Sequence, residues 1–398
     1  MNVKKILSAA MAAVCCVGML VGCSGGTAAS EDASLTVTEE STGEADMTSQ
    51  ANEKNDTIDA ELTPLEFTAG IKVGWCLGNT LDSTGGTNLS SETSWGNPAT
   101  TEEMILAVKD AGFNAVRIPT TWGKHMDEDY NIDAEWMARV TEVVNYAYDA
   151  GMYVIPNMHH EDWNYPYEDN FEAASEIMTK AWTQIAENFS GYDERLIFEG
   201  MNEPRWVGTD EEWTGGNEEG RTVVNKLNQV FVDTVRATGG NNELRFLMVC
   251  PYGANSGEEA MAALVLPDDP AERLIVSVHA YIPYSFALQV GGSTNWLAER
   301  VNCTRDIDTL AEALDRLFIS NGIAVIIGEC GAMNKDNEEA RAAWAEYYFS
   351  TFTELGIPCF LWDNGSFVGG ETFGLLNRHT ITWQYPDLMA AIMDATEK

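Results

Sequence analysis

The chain has 398 residues, 45% of them hydrophobic, and a formal net charge of −39 from 62 acidic and 23 basic side chains. That length affords a large buried core, and a charged fraction of only 21% with abundant Trp, Tyr and Phe excludes wholesale disorder. The acidic excess excludes polyanions as partners: nucleic acid and anionic membrane surfaces would repel the chain, whereas a neutral polymer such as a polysaccharide would not.

Lys4 and Lys5 precede an apolar run over residues 6–21, followed by Gly22 and Cys23. A basic start and a short apolar stretch read as an export signal. Leu20-Val21-Gly22-Cys23 resembles the lipobox of bacterial lipoproteins, which implies cleavage before Cys23 and lipidation of its sulfur. An ordinary signal peptide and an uncleaved anchor are the alternatives. No later run reaches the ~18–20 apolar residues of a membrane span. Residues 23–61 are rich in Ser, Thr, Gly, Ala, Asp and Glu and carry no aromatic side chain. Such a segment cannot bury enough surface to offset its ordering entropy, so a flexible acidic linker is expected. The domain plan is therefore a signal over 1–22, a linker over 23–61 and one catalytic domain over 62–398.

From residue 62 short apolar runs alternate with helical-period segments. The predicted strands cover 73–79, 115–119, 153–157, 196–203, 245–251, 274–281, 324–329 and 358–363. They lack strict polar alternation, as strands buried on both faces should. Predicted helices cover 101–111, 134–150, 174–188, 222–237, 306–320, 337–355 and 386–397. Gly112, Gly151, Gly322 and Gly356 stand between helix and strand, where glycine ends helices in the left-handed conformation. Eight strands with crossovers fit a (β/α)8 TIM barrel best, with a doubly wound sheet as the alternative. No GxGxxG follows the first strand and no Walker A sequence occurs, which leaves nucleotide chemistry unsupported.

The predicted strand ends are polar, and in barrel enzymes the carboxyl ends of strands line the active site. They read Gly78-Asn79-Thr80-Leu81-Asp82, Arg117-Ile118-Pro119, Asn157-Met158-His159-His160-Glu161, Met201-Asn202-Glu203-Pro204, His279-Ala280-Tyr281, Gly328-Glu329-Cys330 and Trp362-Asp363-Asn364. Glu203 and Glu329 each end an apolar run, where a carboxylate is costly unless paired or used. Either alone fits a structural ion pair. Together they match the two carboxylates that glycoside cleavage needs, one to protonate the leaving oxygen and one to attack or to activate water. Arg117, His279 and Tyr281 supply positive charge and hydrogen bonds that would hold the two in different protonation states.

Gly74-Trp75-Cys76-Leu77-Gly78-Asn79-Thr80-Leu81-Asp82, Thr93-Ser94-Trp95-Gly96-Asn97-Pro98, Val116-Arg117-Ile118-Pro119 and Asn202-Glu203-Pro204 follow in order, with His159, His279-Ala280-Tyr281 and Glu329 in place. In this the segment from 65 to 398 resembles glycoside hydrolase family 5, specifically its subfamily 4 endoglucanase/xyloglucanase branch. The resemblance implies Glu203 as general acid/base and Glu329 as nucleophile. It implies Asn202 on the sugar 2-hydroxyl, and Arg117 and Tyr281 as partners of ionised Glu329. His159 and His279 would lie around the cleaved sugar, and Trp362 would form the floor beneath it. Asn79 and His160 complete the candidate substrate-binding set, with His159 the better family match of the histidine pair. The family is retaining, so the carboxyl groups should stand ~5–5.5 Å apart.

Trp75, Trp95, Trp122, Trp163, Trp206 and Trp296 lie in or beside predicted top-face loops and are candidate sugar-stacking rings, although Trp75, inside a strand, fits the core. A metal is not expected. His159 and His160 are adjacent on a predicted strand and should point to opposite faces, and there is no HExxH. The five cysteines beyond Cys23 form no CxxC, and no GxSxG occurs. The expectation is an exported, lipid-anchored, cofactor-free and monomeric retaining endo-β-1,4-glucanase acting on mixed-linkage glucan, xyloglucan or amorphous cellulose. A β-mannanase and a non-catalytic surface glycan-binding protein are the rivals. Retention of both Glu203 and Glu329 argues against the binder.

Overall fold

The structure is a computed structural model that describes residues 54–397. The export signal, Cys23 and most of the acidic linker lie outside the described residues. Eight parallel strands form one sheet: β1 Gly74–Leu77, β2 Ala115–Ile118, β3 Tyr153–Pro156, β4 Phe198–Glu199, β5 Leu247–Val249, β6 Leu274–His279, β7 Ala324–Cys330 and β8 Cys359–Asp363. Their order is β3-β2-β1-β8-β7-β6-β5-β4. The two outer strands meet through parallel bridges at Val154–Leu196 and Asn157–Glu199, which close the sheet into a barrel. Each of the eight strands lies within a predicted run or extends one residue beyond it, and several are two or more residues shorter, β1, β4, β5 and β6 among them. Helices follow them on the outside: α1 Pro64–Ala69 precedes β1, and α2 Glu102–Asp110, α3 Ala134–Asp149, α4 Phe171–Asn188 and α5 Glu218–Ala237 follow β1 to β4. After the short α6 Glu258–Ala262 and α7 Tyr284–Ala287 come α8 Val301–Leu317, α9 Glu338–Glu354 and α10 Pro386–Thr396. The glycines predicted to end helices adopt φ of 110° at Gly112, 81° at Gly151, 80° at Gly322 and 70° at Gly356.

Each strand is buried on both faces, which explains its unbroken apolar character. On β1 Trp75 and Leu77 face the helices while Cys76 packs inside the barrel with Ala115, Ile155, Ile197, Met248, Ile275, Ile326 and Phe360. The amino end of the barrel is plugged by α1. Thr63 and Glu66 cap that helix reciprocally, Pro64 opens it, and Phe67 stacks on Phe246 at 4.1 Å between ring centroids. This helix is absent from the elements predicted by periodicity, being too short to show one.

Two expected boundaries change. The linker does not run free to residue 61. Asp56 N–H donates to Gly191 O at 2.9 Å, the Tyr148 hydroxyl donates to Asp56 Oδ2 at 2.7 Å, Arg273 donates to Asp59 O at 2.7 Å, and Ile58 is buried. Low hydrophobicity is outweighed here by a string of backbone and side-chain bonds to the barrel base. Strand β4 also stops earlier than predicted. It ends at Glu199, and Asn202 and Glu203 lie on the chain beyond it, where Asn202 N–H still reaches Met158 O at 2.9 Å.

Candidate active site

Ionic and hydrogen-bonding side chains converge at the carboxyl ends of the strands. Arg117 rises from β2, fully buried, and its guanidinium is divided three ways. Nη1 donates to Glu329 Oε1, Nε to Glu199 Oε2 and Nη2 to Asn202 Oδ1, each at 2.7 Å. A fixed planar fork can serve three acceptors in set directions, which a lysine could not do. Tyr281 donates its hydroxyl to Glu329 Oε2 at 2.8 Å. Both oxygens of Glu329 are thus held by donors. Burial and the neighbouring Glu329 push the Tyr281 phenol well above its ordinary range, so it stays a donor.

Glu203 lies beside this pair. His279 Nδ1 is 2.8 Å from Glu203 Oε1 and 3.7 Å from Glu329 Oε2. One oxygen of each carboxylate and the imidazole nitrogen all lie within 4.8 Å of one another, a separation close to the ~5–5.5 Å of retaining glycosidases. Burial works against charge on His279, but the fields of Glu329 and Glu203 and the bond to Glu203 outweigh it and raise its pKa. Burial likewise favours neutral Glu203, and the hydrogen bond and charge of His279 overcome it, with Arg205 adding to the downward shift. The two shifts run in opposite directions, as for a carboxylate and an imidazolium that each stabilise the other's charge.

Glu199, which is not among the sequence-predicted site residues, is fully buried and ties the cluster together. It accepts from Arg117, from Ser277 Oγ at 2.7 Å and from Asn157 Nδ2 at 2.9 Å. Asn157 Nδ2 also lies 3.1 Å from His159 Nδ1. The signal for it in the sequence is an acidic residue inside an apolar strand, four positions before Glu203. Arg117 occupies the oxygen of Asn202, which leaves the Asn202 amide N–H groups for a ligand.

The expectation that His159 and His160 point to opposite faces fails. Strand β3 ends at Pro156, so the alternation of a strand does not reach them, and their rings meet at 4.4 Å. His159 is buried and stands parallel to Trp362, with ring centroids 5.8 Å apart. Burial and the nearby cationic groups hold it neutral, well below the usual histidine range. His160 faces outward, 5.5 Å from the half-exposed Trp95 and 3.8 Å from buried Asp82. Trp362 fits because Gly78 lacks a side chain: a Cβ there would fall 2.6 Å from the indole. Asn79 follows β1 in the left-handed region (φ 58°), which Asn tolerates, with its N–H bonded to Asp82 Oδ2 at 3.0 Å.

The other tryptophans sort by burial. Trp75, Trp122 and Trp296 are enclosed, donating to Asp363, Asn157 O and Cys303 O respectively, and are not stacking rings. Trp163 is tied to Glu161, and Trp206 lies flat against Tyr167 at 4.8 Å. Trp213, which sits in a polar Asp-Glu-Glu-Trp-Thr loop and is not among the sequence-predicted rings, is the more open one, 55% exposed.

Comparison with known proteins places this geometry in a family. The sequence model of cellulase (glycosyl hydrolase family 5) matches residues 81–368. Endoglucanase B of Neocallimastix patriciarum is 46% identical over 338 residues, 82% of this chain and 71% of that protein. A solved GH5-4 broad-specificity endoglucanase from Ruminococcus champanellensis, with bound cellotriose, superposes with a TM-score of 0.81 at 46% identity, covering 83% of this chain and 98% of that one. A family 5 xyloglucan-specific endo-β-1,4-glucanase from a metagenomic library, in complex with cellotriose, gives 0.81 at 42% identity, covering 84% and 99%. The chain belongs to the cellulase family, glycosyl hydrolase family 5.

Proposed function

We infer that the carboxylates of Glu203 and Glu329 cut β-1,4-linked glucan chains in two displacements, which makes the protein a retaining endo-β-1,4-glucanase. One observation carries this reading: a buried and a part-buried carboxylate with one oxygen of each within 4.8 Å of the other, the first bonded by Arg117 and Tyr281 and the second hydrogen-bonded to His279.

In the first step Glu329 attacks the anomeric carbon of a glucosyl unit seated over Trp362. Arg117 and Tyr281 hold and aim the attacking carboxylate. Glu203 gives the leaving oxygen the proton that the Glu203–His279 pair holds. The departing chain end carries that proton away, and the sugar is left bonded to Glu329. In the second step Glu203 takes a proton from water, which attacks the same carbon and restores Glu329. The bond from Asn202 to the 2-hydroxyl tightens as the ring approaches its oxocarbenium-like geometry.

Mixed-linkage glucan, xyloglucan and amorphous cellulose share the backbone sugar this site would hold and are the proposed substrates. Support for this choice comes from the relatives that act on β-1,4-glucan chains. We further propose that the protein is exported, works as a monomer and is held at the cell surface by a lipid on Cys23. Loss of label from a palmitate analogue in Cys23→Ala tests the anchor, and sedimentation velocity tests the monomer.

The reaction is tested by reducing-end release from these three glucans, glucomannan and mannan, with proton NMR of the first product. Fast release from glucans with the β-anomer formed first is expected. Preference for mannan, or an α-anomer first, overturns the reading.

A further inference from the structure

Asn157 follows the last residue of β3 and is fully buried. Its backbone carbonyl accepts from Trp122 Nε1 at 2.8 Å, and its side-chain oxygen accepts from the N–H of Thr120 at 3.1 Å. A backbone N–H can only donate, so the amide is held with its oxygen toward Thr120 and its nitrogen away. Turned over, it would set its oxygen against the Glu199 carboxylate and its NH2 against the Thr120 N–H. In the orientation observed, Nδ2 has two hydrogens to give. One goes to Glu199 Oε2 at 2.9 Å, and the other points at His159 Nδ1, 3.1 Å away. Glu199 is itself fixed by Arg117 and Ser277, at 2.7 Å each.

A neutral imidazole has one nitrogen that donates and one that accepts. Burial keeps His159 neutral. With Nδ1 taking a hydrogen from Asn157, the ring's own proton sits on Nε2. No protein atom among the described residues accepts from Nε2. The ring stands parallel to Trp362, with centroids 5.8 Å apart, so this free donor belongs to a ring beside the proposed sugar floor.

We propose that Asn157 is a positioning residue that fixes His159 as the Nε2–H tautomer, so that His159 meets the bound glucosyl unit only as a hydrogen-bond donor. The proposal rests on the endoglucanase reading for its ligand and deepens it: the hydroxyl that His159 reaches must offer a lone pair. It also gives Glu199 a second task. Besides holding Arg117, Glu199 decides through Asn157 which nitrogen of His159 is bare.

The chain has five histidines, few enough for NMR of nitrogen-15-labelled histidine to resolve each ring. His159 is assigned by the signals lost in His159→Gln, and two-bond proton–nitrogen correlations distinguish the two neutral tautomers. The wild-type protein should show His159 in the Nε2–H form at neutral pH. In Asn157→Asp an acceptor stands where the donor was, and the proton should move to Nδ1. An Nδ1–H form in the wild-type protein overturns the proposal even if no variant folds, and an Nε2–H form that persists in Asn157→Asp overturns it as well. The consequence for the sugar is read on 2,4-dinitrophenyl β-cellobioside, whose leaving group departs without a proton, so that loss of acid catalysis does not enter. Asn157→Asp should lower kcat/KM about five- to tenfold, the size of one lost hydrogen bond, and less than about twofold when His159→Gln is already present. Equal losses in both backgrounds overturn the route through His159. The tautomer is read without substrate, so a protein that shows it as expected yet cleaves no glucan would overturn the endoglucanase reading alone.

Discussion

Arg117 and Glu199 are bonded at 2.7 Å with neither side chain open to solvent, and the same guanidinium holds Glu329 from its other edge. Glu329, the proposed nucleophile, is thus aimed by a residue that is itself anchored by a second, hidden carboxylate. Glu199→Gln should leave Arg117 with one anionic partner fewer in a dry site. Removing one member of a buried pair costs about 3–5 kcal/mol, so a clear loss of Tm is expected. The kcat should fall about 100-fold with KM little changed, because the lost aim matters in the transition state. A variant with wild-type kcat would show that Glu199 serves folding alone.

The two carboxylates can be told apart by a small nucleophile. Glu329→Ala should lose at least ~1000-fold in activity, and azide in its place should yield an α-glycosyl azide from an activated fluoride or aryl substrate. Glu203→Ala should stay reactive toward the dinitrophenyl cellobioside and, with azide, give the β-azide. Interchanged products would reverse the two roles.

On the proposed roles, the proton held between Glu203 and His279 should set the basic limb of the pH profile. The pKa of His279 is raised above its ordinary 6.5 by its anionic neighbours. The stabilising charge is therefore fully present below about 6.5 and lost as pH rises through the folded value. Activity should fall over the same interval, since the acid then has no proton to give. In His279→Gln only Glu203 can hold that proton, and the limb should shift to lower pH. An unmoved limb in kcat/KM against pH would remove His279 from the proton's path.

His125 makes the opposite contribution. It is buried flat against Trp136 at 3.6 Å and 6°, and burial lowers its pKa to about 4. The folded state then binds fewer protons than the unfolded one between about 4 and 6.5, so this group weakens the fold as pH falls through that window. His125→Phe keeps the stack and removes the titration. The difference in Tm between pH 7 and pH 4.5 should shrink by a few degrees. An equal difference in both proteins would exonerate His125.

The stretch from 54 to 61 is expected to matter for stability although its composition is that of a linker. A chain beginning at residue 62 loses the bonds of Asp56 and Asp59 to the barrel base and the burial of Ile58. Its Tm should drop by a few degrees with activity on soluble glucan intact. Equal melting of the two chains would return the segment to the linker.

The barrel is legible because strands buried on two faces cannot hide: Val154-Ile155 or Val325-Ile326-Ile327 bounded by glycine and polar turns has few other readings. Arg117, Glu203, His279, Tyr281 and Glu329 are legible because a polar residue at the end of an apolar run needs a reason. Glu199 escapes because it lies within such a run, and its partners come from β2, the end of β3 and β6, which no local pattern reveals. Trp213 escapes because exposure is decided by the path of a loop, and its neighbours give no apolar cue. The histidine pair misleads because strand β3 is only four residues long, and periodicity has no authority past the last ladder bond.

The barrel seam also divides labour between the two carboxylates. Glu329 belongs to the seven-residue β7, paired on both sides. Glu203 hangs beyond the two-residue β4, which joins β3 only through isolated bridges. Amide exchange should accordingly be faster around 196–203 than around 324–330, placing the proposed acid on the more pliant edge of the sheet and the proposed nucleophile on a strand paired on both sides. A group that must approach first a departing oxygen and then an arriving water gains from play in its mounting, whereas one that must meet a single carbon gains from having none.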